Sequence, residues 1–396
     1  MKYIVIIGDG MGDFPLHELH DKTPLMVAQK PFMDMMARGG FCGKVTTVPE
    51  GFSPGSDVAC MSIFGYNPSQ HYTGRAPIEA HGMGITMDDG DVAFRCNLVY
   101  LENLSDRTLM GDYSGGHIST EEARILIQDI NSVFGNREFT FYPGVSYRHI
   151  MIWHDGKTEV ASTPPHDITN KDVSPYLPRG NGSEILIALM EKVHAFLKEH
   201  PANKKRETSG RSPANGIWLW GQGKRTVLPS FQSKFGLKGA TVAAVDLVKG
   251  ISRLIGFDTP YVEGATGYLD TDYKAKAYKA IELIENHDIV YIHIEAPDEA
   301  SHNGSVKEKI KAIEHIDSDV VGVLFNKLGD KVRFLLTTDH ATPIMMKTHY
   351  ACPVPFVIFQ KNRKQEGCSS GYHENSGEAV FTGEELIELF IRKQRQ

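Results

Sequence analysis

The chain is poor in the features that mark secreted, membrane and nucleic-acid-binding proteins. Among its 396 residues are five cysteines, Cys42, Cys60, Cys96, Cys352 and Cys368. They are scattered and form no C-x-x-C pair, so neither a zinc knuckle nor a disulfide framework is indicated. No run approaches the roughly 18 uninterrupted apolar residues of a membrane span. The start, MKYIVIIGDG, has a short apolar run closed by Gly and Asp, which reads as a first strand and not a signal peptide. Lysine and arginine number 42 against 49 acids, a net charge of −7, with no dense basic stripe. That speaks against nucleic acid and membrane as partners, and a cytoplasmic location is expected. Familiar phosphate loops are missing too. GDGMGD carries Asp13 where a dinucleotide fingerprint needs its third glycine, and WLWGQGKR has Trp218 where a P-loop needs its first.

What is present is a globular composition, 41% hydrophobic and 23% charged, in a chain long enough for two domains. Three apolar runs rich in β-branched residues read as buried parallel strands: YIVII at 3–7, DIVYIHI at 288–294 and VRFLLTT at 332–338. PVPFVIF at 353–359 is a fourth, weakened by its prolines. Helical patterns at 272–286 and 305–328 accompany them, predicting an α/β layered sheet with helices on its faces. The middle differs. It holds short strand-like runs, helical stretches at 119–133 and 182–199, and a polar segment at 199–215 that reads as a linker before the strand GIWLWGQG. The organisation read from this is a discontinuous domain of 1–86 and 207–396, with a smaller α+β domain, 87–206, inserted into it.

The strand ends carry the chemistry. YIVIIGD places Asp9 just past the first strand, and YIHIEAPDEASH places Asp298 and His302 past the second, on one face of a helical turn. RFLLTTDH places Asp339 and His340 past the third, with His349 following on the same loop. Ligands of open α/β sheets gather at the carboxyl ends of the strands. Three carboxylates and three imidazoles at one edge suffice for two divalent ions, and such pairs, about 3.5–4 Å apart, clamp the attacking and leaving oxygens of a transferred phosphoryl group. Ser56, in GFSPGSDVACMSIFG, falls at a helix start. There it is either an N-cap or a nucleophile activated by a metal and favoured by the helix N-terminus. Beside the six ligands, the nucleophile is preferred.

Asp9 in GDG, Ser56 in SPGSDVA, Asp298-x3-His302, Asp339-His340 and His349 together resemble the alkaline phosphatase superfamily, and within it the archaeal-type cofactor-independent phosphoglycerate mutases. YTGRAPIEAHGMGI, PGVSYRHI and PANGIWLWGQGK are similar to that family as well, and the C-x-P-S-R of a sulfatase is absent. The resemblance implies an alkaline-phosphatase-like sheet domain with an inserted substrate-binding domain. It implies one ion on Asp9, Ser56, Asp339 and His340 and a second on Asp298, His302 and His349, the metals being Mn²⁺, Mg²⁺ or Zn²⁺. Ser56 would take the phosphoryl group and return it to another hydroxyl of the same glycerate, with Lys224 steadying the phosphoryl oxygens. Arg75, Arg95, Arg148 with His149, and Arg206 are the candidates for gripping a small phosphorylated acid, because Arg matches phosphate and carboxylate bidentately. Where the family pattern has GRIST this chain reads GGHIST, with His117 at the arginine position. A homoserine-kinase-like phosphotransferase and a metal-dependent phosphomonoesterase therefore stay open beside the mutase, as does the oligomeric state.

Overall fold

A computed structural model of the protein describes residues 1–363, 367–368 and 371–392. The chain divides into two compact units, Met1–Tyr72 with Val227–Gln396, and Thr73–Thr226.

The first unit is built on a seven-stranded sheet. Its order is Gly239–Val242, Ile289–Ile294, Lys2–Gly8, Val332–Thr337, Val354–Gln360, Phe41–Thr46, Val380–Thr382. All strands point one way except Val354–Gln360, which is antiparallel to both neighbours. The central strands are apolar throughout because helices cover both faces. Ile4, Ile6, Val290, Ile292, Phe334 and Leu336 pack against the helices Pro31–Gly39, Tyr273–Asn286 and Val306–His315. On the opposite face the Tyr291 ring stacks on Phe64, 4.3 Å between centroids, beneath the helix Ser56–Ile63. Each such side chain contributes about 1.5–3 kcal/mol by leaving water. The segment expected as one helix at 305–328 is three: Val306–His315, a π-turn stretch Ile316–Val321, and Gly322–Lys327. Asp317, in the π stretch, accepts the backbone N–H of Met33 at 2.7 Å, capping the helix Pro31–Gly39 from a neighbouring element.

The second unit has a five-stranded antiparallel sheet around the long strand Val92–Asn103. Arg148–Trp153 and Gly216–Lys224 pair with it, Thr108–Asp112 pairs with its far end, and Phe139–Tyr142 adds beyond Arg148–Trp153. Helices Thr120–Phe134 and Ser183–Lys198 cover the face that carries Phe94, Cys96 and Leu98. Helix Arg75–Gly82 covers the other through Ala76 and Ala80 against Ala93, Ile150 and Ile152. This unit is wider than the 87–206 insertion read from sequence, because the helix before it and the strand GIWLWGQGK after it both pack on Val92–Asn103. The segment 199–215, read as a linker, holds the helix Pro201–Thr208 with Asn203 and Arg206 buried. Its polar composition concealed it: Asn203 Nδ2 donates to the carbonyls of Leu197 and Ala214, so burial costs little.

Candidate active site

Asp9 leaves the first strand with its N–H on the Ile294 carbonyl, 2.9 Å away. The next residue, Gly10, has φ +64°, and a Cβ there would lie 2.7 Å from both Asp298 Oδ1 and Thr342 Oγ1. Only glycine lets the loop approach so closely. Asp339 Oδ1 accepts the N–H of Gly10 and of His340, at 3.1 and 2.8 Å, which knits the first and third strand ends together. Asp298 and His302 do share a face, on the helix Ala296–His302.

Among the described residues ligand atoms converge within 4.8 Å in three groups: Asp9 with Asp339 and His340, Asp298 with His340 and His349, and, behind them, Cys60 with His293 and Asp339. His302 Nε2 completes the second, 3.1 Å from Asp298 Oδ2 and 3.1 Å from His349 Nε2. All six acids and imidazoles expected from the strand ends are thus brought together. Each imidazole has its Nδ1 on an oxygen: His302 on the Lys347 carbonyl at 2.9 Å, His349 on the Pro54 carbonyl at 3.3 Å, His340 on the Thr342 hydroxyl at 3.1 Å. An Nδ1–H donated outward leaves Nε2 as a bare lone pair facing inward, the arrangement of metal-ligating histidines. Two lone pairs facing each other at 3.1 Å require a cation or a proton between them.

The electrostatics agree. Burial, and then the charges of Asp339 and Asp298, push the Asp9 carboxyl well above the usual range. Burial also raises Asp298, but His302 and His349 overcome it and hold that carboxyl well below. Burial lowers the His340 imidazole to about 4 despite Asp339 beside it. Asp9 Oδ1 is buried without a hydrogen-bond partner. Against burial, Asp298 raises the His302 imidazole to about 9, a proton that a cation would displace. Three carboxyl groups and three imidazoles, with Asp9 Oδ1 left without a partner, suit a divalent cation of the Mg²⁺, Mn²⁺ or Zn²⁺ type.

Ser56 is the first residue of its helix, and the N-cap is Gly55, so its hydroxyl caps nothing. Oγ instead lies 3.1 Å from His340 Nε2. The helix N-terminus that Ser56 occupies favours an incoming anion.

Residues passed over in the sequence stand directly behind this cluster. Buried His293 lies with Nε2 3.5 Å from Asp9 Oδ2 and Nδ1 3.2 Å from Glu295 Oε1, and Glu295 is paired with buried Lys276 at 2.7 Å. Its place inside an apolar strand pattern hid it. Cys60 Sγ is 4.0 Å from Asp339 Oδ2, and burial, Asp339 and Asp9 keep it a thiol. Buried Lys309 donates to Asp13 Oδ2 at 2.8 Å and to the Gly12 and Thr342 carbonyls, fastening the Asp9 loop to the His340 loop.

The second unit gathers the opposite charge. Glu79 bridges two of the expected arginines, with Oε1 2.8 Å from Arg75 Nε and Oε2 2.9 Å from Arg95 Nε. Arg95 lies over the Trp220 ring at 4.4 Å, a cation–π contact. Arg148 alternates on its strand with Ile150 and Ile152, which places it on the face that carries Arg95. Burial lowers the Arg95 guanidinium to about 10, partly offset by Glu79. Burial raises Glu79, but Arg95 and Arg75 outweigh it, and the carboxyl ends below its ordinary value. Arg75 and Arg95 share one glutamate, with Arg148 on the same face, and guanidinium groups gathered in this way suit a carboxylate or phosphate. His149 Nδ1 accepts the Gly144 N–H at 2.9 Å while its buried Nε2 has no partner. Arg206 does not belong to this group. Its guanidinium is spent on Glu122 at 2.6 Å and the carbonyls of Ser212, Gly115 and Gly116, pinning the turn in which exposed His117 has φ 49°. Lys224 ends its strand opposite Val92 with its side chain exposed.

A family model described as 2,3-bisphosphoglycerate-independent phosphoglycerate mutase matches residues 37–203. The chain is 50% identical over 398 residues to the "Probable 2,3-bisphosphoglycerate-independent phosphoglycerate mutase" of Geobacter sulfurreducens, covering 99% of this chain and 100% of that one. It is 46% identical to the 2,3-bisphosphoglycerate-independent phosphoglycerate mutase of Methanosarcina barkeri, with 99% and 100% covered. Its fold superposes on the PH0037 protein of Pyrococcus horikoshii with a TM-score of 0.82, at 30% identity over 98% of this chain and 96% of the other. Identity of this depth over the whole chain, on a strand-end cluster read independently as a phosphoryl-transfer centre, has one meaning: the chain belongs to the 2,3-bisphosphoglycerate-independent phosphoglycerate mutase family.

Proposed function

We propose that this chain is an isomerase that interconverts 3- and 2-phosphoglycerate through a phosphoserine at Ser56. The observation that carries the chemistry is the Ser56 hydroxyl, uncapped at a helix N-terminus and 3.1 Å from His340 Nε2 among the converging ligand atoms. One ion would be held by Asp9, Ser56, Asp339 and His340 and another by Asp298, His302 and His349. Bound there, they would lower the pKa of the serine hydroxyl and neutralise charge on the transferred group.

Ser56 Oγ loses its proton and bonds to phosphorus in line with the glycerate ester oxygen, which leaves and takes up a proton. The other glycerate hydroxyl then attacks the phosphoserine and loses its proton, and Ser56 is restored. Atoms balance with no free bisphosphoglycerate or nucleotide. Arg75, Arg95 and Arg148 supply bidentate donors for the substrate's carboxylate and phosphate, and Lys224 a point charge for the phosphoryl oxygens. A cytoplasmic location accompanies this reading, and no helix of the described residues is long and apolar enough to cross a membrane.

The test is to incubate the Mn²⁺-loaded protein with 3-phosphoglycerate alone and follow phosphorus by NMR. The expected product is 2-phosphoglycerate, and Ser56→Ala should lose activity on the order of 10⁶-fold, as loss of a nucleophile does elsewhere. Release of inorganic phosphate, a need for ATP, or an active Ser56→Ala protein would overturn the proposal.

A further inference from the structure

Of the three histidines in the cluster, two rest their Nδ1 on backbone carbonyls, those of Lys347 and Pro54. His340 alone rests on a side chain, the hydroxyl of Thr342 at 3.1 Å. That hydroxyl also lies 2.6 Å from Asp298 Oδ1. A hydroxyl has one hydrogen, and a carboxylate can only accept. The Thr342 hydrogen therefore goes to Asp298, and Thr342 Oγ1 must receive the Nδ1–H of His340. The direction of the chain is fixed by this count: His340 Nδ1–H to Thr342 Oγ1, Thr342 Oγ1–H to Asp298 Oδ1.

Two consequences follow. The proton of His340 is held on Nδ1, so Nε2 presents its lone pair to the group of Asp9, Asp339 and Ser56. The far end of the same chain steadies Asp298, which belongs with His302 and His349. Thr342 is itself fully buried, and its own N–H is fixed on the Gly12 carbonyl at 3.1 Å, so the hydroxyl has little freedom to leave either partner. The glycine at position 10 leaves room for this hydroxyl, since a Cβ there would strike Thr342 Oγ1.

We propose that Thr342 is a positioning residue that couples the two cation positions, setting the tautomer of a ligand in one and the orientation of a ligand in the other. A cation drawing on Asp298 makes that carboxylate a weaker acceptor for the Thr342 hydroxyl, which loosens the pull on the His340 Nδ1–H and makes Nε2 a weaker donor for the neighbouring cation. Through this chain, binding at either position is felt at the other and moderates it. The inference rests on the two-cation reading of the site and on nothing about the substrate.

The test uses Mn²⁺ alone as the probe, and calorimetry on the wild type, Thr342→Val and Thr342→Ser. Valine keeps the shape and removes the hydroxyl. It should weaken binding at both positions by about 10–100-fold, the usual cost of losing a group behind a ligand. Serine should restore the affinity. Unchanged binding in Thr342→Val, or weakening at one position only, would refute the coupling. A second measurement needs no variant. Nitrogen NMR of the histidines in metal-free wild type should show His340 protonated at Nδ1 and bare at Nε2, and the opposite tautomer would overturn the proposal even if Thr342→Val failed to fold. No arm uses phosphoglycerate, so an inactive enzyme with coupled cations would sink the mutase reading and leave this one standing.

Discussion

In the first unit Asp9 and Asp339 stand on loops and Asp298 on the helix Ala296–His302, each just past a parallel strand, and the sheet directs them to one edge. In the second, Arg95 and Arg148 stand within antiparallel strands, and Arg75 reaches them from a covering helix. The two clusters have opposite sign and a common physical problem. Each holds like charges close together in a poorly solvated place. The first shows it in the raised carboxyl of Asp9, the second in the lowered guanidinium of Arg95. A ligand of opposite charge relieves either one, and such relief is what a binding site stores.

The comparison can be broken by separating the two responses. All three tryptophans, Trp153, Trp218 and Trp220, lie in the second unit, so their fluorescence reports its unfolding, whereas calorimetry sees the whole chain. Mn²⁺ at about 1,000 times its dissociation constant should stabilise the first unit by about 4 kcal/mol, and chelation should remove that gain. The tryptophan transition should stay where it was. If both transitions rise together with Mn²⁺, the charge problems of the two units are not independent.

A smaller effect tests the second cluster. Glu79→Gln keeps a hydrogen-bonding side chain and deletes the carboxylate that Arg75 and Arg95 share. Loss of charge-assisted hydrogen bonds of this kind costs about 1.5–3 kcal/mol. The tryptophan transition should fall accordingly, and inorganic phosphate should recover part of the loss by replacing the missing anion. A variant as stable as the wild type, with no response to phosphate, would show that the arginines need no counter-charge.

The same contrast explains what could be read from sequence. Loop residues after parallel strands are adjacent in the chain to the strands that place them, so Asp339-His340 and Asp298-x3-His302 were visible as motifs with known geometry. Residues on strand faces depend on pairing register, which a sequence does not display. Arg95 and Arg148 were nameable as candidates, but Glu79, their shared partner, was not, and Arg206 was grouped with them although it holds the His117 turn. The linker reading of 199–215 failed for a related reason: its buried polar groups are satisfied by distant carbonyls, and composition alone registers them as exposed. His293 and Thr342 were hidden because each sits where its neighbours are apolar or already assigned. The seven-stranded order, with its single reversed strand, depends also on Gly239–Val242 and Val380–Thr382, too brief to show a period, and on Phe41–Thr46, whose FCGKVT has no apolar run.

The smallest expected effect is also the most specific to the second cluster. His149 is buried, its Nδ1 is committed to the Gly144 N–H, and burial together with Arg148 and Arg95 lowers its imidazole to about 3. In the unfolded chain it titrates near 6.5. Between those values the unfolded state carries a proton that the folded state refuses, so stability must fall as pH drops through that window and is fully present only above it. His149→Asn offers an amide oxygen to the Gly144 N–H and does not titrate. The tryptophan-detected transition of the wild type should therefore fall more steeply between pH 6.5 and 4.5 than that of the variant, whereas all other acids and bases contribute alike to both. Parallel slopes would mean that His149 accepts a proton in the fold. That would require water to reach the ring, since burial is the largest cause of its lowering, with Arg148 and Arg95 adding to it.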